Sequence, residues 1–115
     1  MVGKNYIPDK GDIVLLNFDP QVGHEQKGVR PALVISNKAF NKFTKMVMVC
    51  PITTKNKNFP LHIPITGNRK ATGFIMCEQV KVLDIKSRTP QKFSELSVDL
   101  LDEILEIVAS ISAKE

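Results

Sequence analysis

The chain has 115 residues, 43% of them hydrophobic, and a net charge of +4. This length holds one hydrophobic core, so we expect a single domain over residues 1–115, and the composition excludes a disordered chain. No apolar run approaches the ~20 residues that cross a bilayer, and the N-terminal MVGKNYIPDKGD lacks the apolar segment of a signal peptide. We therefore expect a cytoplasmic protein with no membrane partner.

The first half of the chain predicts strands separated by one long polar loop. GDIVLLNF (residues 11–18) is typical of a strand, and DPQVGHEQKGVR (19–30) contains a proline and two glycines and predicts a loop. Loops of this length are often functional. PALVIS (31–36) and MVMVCPIT (46–53) predict buried strands, and NKAFNKF between them predicts one helical turn.

The second half predicts further strands and one long helix. LHIPIT (61–66) alternates apolar and polar residues, and its proline favours a sheet edge. GFIMCEQVKVLDI (73–85) predicts one long or bent strand, or a pair of strands. In SVDLLDEILEIVASIS, apolar residues recur at steps of three and four after Ser97, a suitable N-cap. About six short strands closed by a helix indicate a mixed, β-rich α+β fold, a small barrel.

The charges are distributed unevenly along the chain. From Gln26 to Cys77 there are nine Lys or Arg residues and no Asp or Glu, whereas residues 99–115 carry one basic and five acidic residues. The basic segment projects a positive field once folded, which favours a polyanion such as nucleic acid. The alternative is a basic surface that only keeps the protein soluble.

The two cysteines, Cys50 and Cys77, both lie in apolar stretches. The chain has only two histidines and no CxxC or HxxxH spacing, which makes a zinc site a poor fit. We expect both thiols to be buried, reduced packing residues, and we expect no metal and no cofactor.

Polar residues at the predicted ends of strands could carry chemistry. Arg30 precedes a buried strand, Thr53 ends another, and Glu78 and Gln79 interrupt an apolar stretch. Each has a structural alternative; Arg30, for example, could be a rim charge paired with Glu25. If these residues cluster at one end of the barrel, they suit metal-free cleavage of RNA. A metal-dependent nuclease would need a carboxylate cluster, which the basic segment lacks.

The role of each residue in such a cluster follows from the chemistry of its side chain. The guanidinium of Arg30 can stabilise a phosphorane, and the hydroxyl of Thr53 can donate to a phosphate oxygen. A His or Glu can transfer a proton near neutral pH, and a Gln amide can bind a base edge. The 2′-OH of the substrate supplies the nucleophile.

Three stretches follow one another in order: GDIVLLNFDPQVGHEQKGVRPALVIS, VCPITTKNKNFP and ATGFIMCEQVKVLDIKSR. In these stretches the chain resembles the MazF/PemK toxins of bacterial toxin–antitoxin systems. The resemblance covers nearly the whole chain. It implies a small, strongly curved antiparallel β-barrel with a C-terminal helix, of the type shared with the gyrase poison CcdB.

The same resemblance implies an activity and its partners. The family members are homodimers that cleave single-stranded messenger RNA at a specific sequence without metal, leaving 2′,3′-cyclic phosphate and 5′-OH ends. RNA lies in a groove across the dimer interface, and an antitoxin with an acidic, disordered tail covers that groove. The closer similarity to the MazF branch suggests a recognition triplet centred on ACA.

The resemblance also assigns residues. It implies catalytic roles for Arg30, Thr53, Glu25 and His24, and it leaves Glu25, His24 or Glu78 as the general base. In the PemK branch an Arg lies two residues before the acid that corresponds to Glu78, and this chain has Met76 at that position. The expected RNA-binding residues are Glu78, Gln79, Phe18, Thr54, Lys55 and Lys57.

Two alternatives remain open on sequence alone. A gyrase poison of the CcdB type needs an aromatic C-terminus, but the chain has no Trp and ends SISAKE. A non-catalytic RNA-binding barrel needs exposed aromatic rings to stack bases, for which Phe18 and Phe59 are the loop candidates.

Overall fold

A computed structural model describes residues 6–18 and 28–115. Within these ranges the chain forms a seven-stranded antiparallel sheet and two α-helices. A 3-10 helix at Cys77–Gln79 separates the fifth strand from the sixth. The element bounds are β1 Asp12–Asn17, β2 Val29–Val34, α1 Lys38–Thr44, β3 Met46–Thr53, β4 His62–Pro64, β5 Phe74–Met76, β6 Lys81–Asp84, β7 Gln91–Glu95 and α2 Val98–Ile111.

The strands are ordered β4-β5-β3-β2-β1-β7, and β6 also pairs with β3. The long strand β3 pairs with three strands: besides β2, its first half pairs with β6 and its last two residues, Ile52 and Thr53, pair with β5. The stretch over residues 73–85 is therefore a pair of strands, the second of the two predicted alternatives. The polar residues Glu78 and Gln79 interrupt the apolar pattern because they lie in the 3-10 helix between the two strands.

Most predicted elements are confirmed, with shifted bounds. β2 begins at Val29 rather than Pro31, because the ladder with β1 runs on through Leu15–Pro31 and Leu16–Arg30 to Asn17–Val29. The single turn predicted after β2 is a helix of seven residues, α1. A strand that the sequence analysis did not predict, β7, lies at the sheet edge beside β1.

The expected barrel is not closed, since β4 and β7 form the two ends of the strand order. Side-chain hydrogen bonds, not a strand ladder, link the two ends of the sheet. The Asn68 amide, in the loop between β4 and β5, donates to Ser94 Oγ at 3.1 Å and to the Glu95 carbonyl at 2.9 Å. The structure thus supports an open antiparallel sheet that brings its edges close together.

The sheet buries apolar side chains on both faces. One cluster contains Ile13, Leu33, Cys50 and Ile75 and packs against α2, whose Ile104 is fully buried. The other cluster lies on the opposite face and contains Val14, Leu16, Ala32, Val34, Val47 and Val49. Alternating strand residues point to opposite faces, so the almost uniformly apolar strands β1, β2 and β3 fill both clusters.

The C-terminal helix begins as predicted. Ser97 is the N-cap, and its hydroxyl accepts a hydrogen bond from the Leu100 amide at 3.3 Å. Asp99 in the first turn lies near the positive end of the helix dipole. Of the helices in residues 6–18 and 28–115, none is long and apolar enough to cross a membrane.

The two cysteines are free and buried, as expected. Burial raises the pKa of Cys50 to about 12 and that of Cys77 to about 11, and the nearby Glu78 carboxylate adds to both effects. A thiol shifted from pKa 9 to 11 carries about a hundredfold less thiolate at pH 8, and the thiolate is the reactive form.

We therefore expect both thiols to resist modification in the folded protein. Reaction with a disulfide reagent at pH 8 should be at least about a hundredfold slower in buffer than in denaturant. Rapid modification of the folded protein would contradict this expectation.

Candidate active site

Arg30 is exposed on β2, close to the loop that the sequence analysis singled out. It pairs with Leu16 of β1, and the Phe18 amide donates to the Gly28 carbonyl at 2.9 Å, which continues the hairpin. The ladder therefore fixes the backbone of Arg30. The loop residues His24 and Glu25, both expected to be catalytic, lie outside the described residues.

Thr53 is the last residue of β3 and pairs with Phe74 of β5. Its hydroxyl oxygen accepts a hydrogen bond from the Lys55 amide at 3.2 Å. A hydroxyl that accepts from a backbone amide keeps its own O–H available to donate. Among the described residues, none accepts a hydrogen bond from this O–H, which can therefore donate to a substrate oxygen.

Arg30 and Thr53 lie on one face of the sheet, at the same end of neighbouring strands. The β2–β3 register pairs Ala32 with Pro51. Arg30 and Thr53 each lie two residues beyond that pair, and residues two apart along a strand point to the same face. The two residues expected to bind the phosphate thus both follow the same end of the β2–β3 ladder.

Gly73 allows β5 to begin against the end of β3. Its φ is +114°, and a Cβ built on it would lie 2.5 Å from the carbonyl oxygen of Thr53. Only glycine fits both the backbone angle and the close approach. The position of Thr53 thus depends on the absence of a side chain at Gly73.

Glu78 and Gln79 lie away from that end of the sheet. Glu78 is four residues beyond Phe74, the residue paired with Thr53, and it belongs to the 3-10 helix after β5. The two exposed residues therefore follow the end of β5 that is opposite the residue paired with Thr53.

His62, which the sequence analysis did not single out, is the partner of Glu78. Its Nε2 lies 2.8 Å from Glu78 Oε2, and Gln79 Nε2 donates to the same oxygen at 3.3 Å. Burial raises the pKa of Glu78, but hydrogen bonds from His62, from its own backbone and from Gln79 outweigh that effect and leave the pKa below its ordinary value. The Glu78 carboxylate is thus a weak base.

The structure places the two candidate stacking residues in different surroundings. Phe18 follows β1, is half-buried and packs against the cluster around Val14. Phe59 is 44% exposed, and its ring makes an edge contact with His62 at 5.1 Å between centroids. Of the two, Phe59 is the better placed to stack on a base.

The loop between β3 and β4 is exposed and basic. Thr54, Lys55 and Lys57 all lie in it with exposed side chains. No carboxylate occurs between residues 28 and 77 to offset them. In the part of the chain that the structure describes, no group of three His, Cys, Asp or Glu side chains could hold a metal ion.

Comparisons with known proteins show which family this chain resembles. Residues 9–112 match a sequence family described as PemK-like, MazF-like toxin of type II toxin–antitoxin system. The chain is 31% identical over 108 residues to the endoribonuclease PemK of Escherichia coli, covering 90% of this chain and 80% of that protein. It is 37% identical over 87 residues to the endoribonuclease toxin MazF of Escherichia coli strain K12, covering 76% of this chain and 78% of that protein.

A solved structure is similar over nearly its full length. A chain in the crystal structure of MazE–MazF from Deinococcus radiodurans (Form-II) superposes with a TM-score of 0.84 at 30% identity. The superposition covers 96% of this chain and 100% of that one.

Proposed function

Because this chain belongs to the PemK-like, MazF-like toxin family of type II toxin–antitoxin systems, we propose that it is a sequence-specific endoribonuclease acting on single-stranded messenger RNA. One observation carries the proposal: the β2–β3 ladder ends at Ala32–Pro51, and Arg30 and Thr53 each lie two residues beyond that end. The relatives from Escherichia coli named above are endoribonucleases. In this proposal residues 1–115 form one toxin domain that acts in the cytoplasm, where messenger RNA is translated.

The proposed reaction uses the RNA's own nucleophile. The 2′-OH attacks the adjacent phosphorus, the bond to the 5′ oxygen of the next nucleotide breaks, and the products carry a 2′,3′-cyclic phosphate and a 5′-OH. Arg30 supplies positive charge to the phosphorane, and Thr53 donates a hydrogen bond to a non-bridging oxygen. Because these two side chains supply the charge stabilisation, the reaction needs no metal.

Proton transfer is assigned to the loop before β2. One proton leaves the 2′-OH and one reaches the 5′ oxygen, and Glu25 or His24 is the candidate for these transfers. Glu78 is the poorer candidate, since its lowered pKa makes it a weak base and it lies at the far end of β5 from the residue paired with Thr53. We assign Glu78 and Gln79 to RNA binding.

The charge of the chain supports the proposed partners. The uninterrupted basic segment from Gln26 to Cys77 attracts RNA, and the same surface attracts an acidic antitoxin tail. The similar Deinococcus radiodurans structure is a MazE–MazF complex. We propose a homodimer that binds RNA in a groove across its interface and is inhibited by a cognate antitoxin covering that groove.

The first test is a digest of a mixed single-stranded RNA in EDTA, with the cut ends mapped. The proposal predicts discrete cuts at one short motif, with 2′,3′-cyclic phosphate on one side and 5′-OH on the other. Whether the motif is an ACA triplet is read from the same map. An absence of cutting, or cutting that depends on added metal, would overturn the proposal, and a supercoiling assay would then test the gyrase-poison alternative.

Thr53→Val removes the hydroxyl of Thr53 and keeps the shape of its side chain. We expect kcat to fall about 100-fold, because one hydrogen-bond donor to the phosphorane is lost. Thr44→Val is the matched control, since the Thr44 hydroxyl makes comparable local hydrogen bonds: it donates to the Phe40 carbonyl and accepts from the Met46 amide. Equal rates for the two variants would remove Thr53 from the mechanism.

A further inference from the structure

A chain of hydrogen bonds runs from the interior of the protein to its surface through His62, Glu78 and Gln79. His62 lies on β4, and the other two lie in the 3-10 helix after β5. One carboxylate oxygen, Glu78 Oε2, accepts from both His62 Nε2 and Gln79 Nε2. The three side chains are therefore linked through a single atom.

Burial decreases along this chain of hydrogen bonds. The side chain of His62 is only 4% exposed, that of Glu78 is 26% exposed, and Gln79 is an exposed residue. Phe59 makes an edge contact with the His62 ring. His62 is thus too buried to contact RNA, whereas Gln79 is accessible to it.

The hydrogen bonds also have a fixed direction. An ionised carboxylate only accepts, so the nitrogens of both neighbours must donate to it. His62 Nε2 then carries a proton, and His62 Nδ1 is buried and has no hydrogen-bond partner in the described structure. Gln79 must turn its NH₂ group toward Glu78, which leaves its carbonyl oxygen and one N–H for a ligand.

We propose that His62 is a positioning residue that fixes, through Glu78, the orientation of the Gln79 amide and thereby selects the RNA base bound beside the cut. A Gln amide held in one orientation offers one acceptor and one donor in fixed places, whereas a freely rotating amide can match several base edges. This inference rests on the proposed endoribonuclease function and specifies how part of its sequence preference is set.

The test compares two variants of His62. His62→Phe keeps an aromatic ring against Phe59 but removes the donor, whereas His62→Gln can place an NH₂ group where Nε2 now lies. The substrates are the RNA cut best by the wild type and RNAs with one base changed beside the cut. The readout is the ratio of kcat/KM between the preferred and the changed RNA, with kcat and KM measured separately.

We expect His62→Phe to lower this ratio about tenfold, mostly through KM, while kcat stays within a few-fold of the wild type. His62→Gln should retain most of the ratio. A merely structural role would instead lower activity on both RNAs equally. An unchanged ratio in folded His62→Phe would overturn the inference.

Two further measurements show whether His62 acts through Gln79 and cover the case in which His62→Phe does not fold. In a Gln79→Ala background, His62→Phe should have no additional effect on the ratio, and an undiminished effect there would show that His62 does not act through Gln79. If His62→Phe does not fold, Glu78→Ala can replace it, because it removes the carboxylate that links His62 to Gln79. This variant should lower the ratio similarly, and an unchanged ratio in it also overturns the inference. A wild type that cuts no RNA would instead refute the proposed function, and this inference with it.

Discussion

Arg30→Ala is expected to abolish RNA cleavage without unfolding the protein. Arg30 carries the only permanent cation assigned to the phosphorane, and removal of one such group typically costs a factor of about 10²–10³ in rate. Its side chain is exposed, so truncation creates no cavity, and the free energy of unfolding should change by less than about 0.5 kcal/mol. The measurement is the single-turnover cleavage rate on one defined RNA, together with a urea unfolding curve.

Two control variants show whether the lost rate comes from the loss of a positive charge in general or from the loss of the Arg30 guanidinium. Lys42→Ala removes an exposed cation from α1 and should leave the cleavage rate within a few-fold of the wild type. Arg30→Lys keeps the charge but loses the planar fork of donors, so it should recover only part of the rate. Cleavage by Arg30→Ala at a rate close to that of Lys42→Ala would exclude Arg30 from the chemistry.

The strands in which nearly every residue is apolar could be predicted from the sequence. MVMVCPIT became β3 with the predicted bounds, because a strand buried on both faces has an apolar residue at nearly every position. The helix α2 was equally clear, since its apolar residues repeat with the helical period and Ser97 caps it. By contrast, QKFSE was missed, because β7 is an edge strand with exposed polar side chains and only its pairing with β1 makes it a strand.

The candidate site could be predicted only in part, for a similar reason. Arg30 and Thr53 lie at the ends of apolar runs, so their position at a sheet end followed from local sequence. His62 lies in LHIPIT, where the alternation and the proline predicted only a strand at a sheet edge, and the structure shows that this histidine is buried at 9% exposure. Its burial depends on Phe59 in the preceding loop and on Glu78, which is 16 residues away. A local sequence pattern does not predict a contact with a residue so far along the chain, so the burial of His62 could not be predicted.

Gly73→Ala is expected to destabilise the fold and to displace Thr53 at the same time. The new Cβ would lie 2.5 Å from the Thr53 carbonyl oxygen, so either β5 or the end of β3 must move. The φ of +114° adds backbone strain for any residue with a side chain. Together these effects should lower the free energy of unfolding by about 2–5 kcal/mol.

The matched control is Gly67→Ala, which separates the clash from the backbone strain. Gly67 also has a positive φ, +67°, but no atom of residues 6–18 or 28–115 lies within 4 Å of a Cβ placed there. Its substitution should cost only the left-handed strain of about 1–2 kcal/mol. Urea unfolding of both variants measures the difference, and equal losses of stability would show that the close approach to Thr53 is not a constraint.

The same substitution also tests whether cleavage depends on the exact position of Thr53. A displacement of about 1 Å in a positioning group can cost a factor of 10² in rate. Under conditions where Gly73→Ala is still folded, its kcat should therefore fall toward that of Thr53→Val, and combining the two substitutions should lower kcat little further. Full activity in folded Gly73→Ala would mean that the Thr53 hydroxyl reaches the phosphate from more than one backbone position, so that the junction of β3 and β5 supports the fold and not the chemistry.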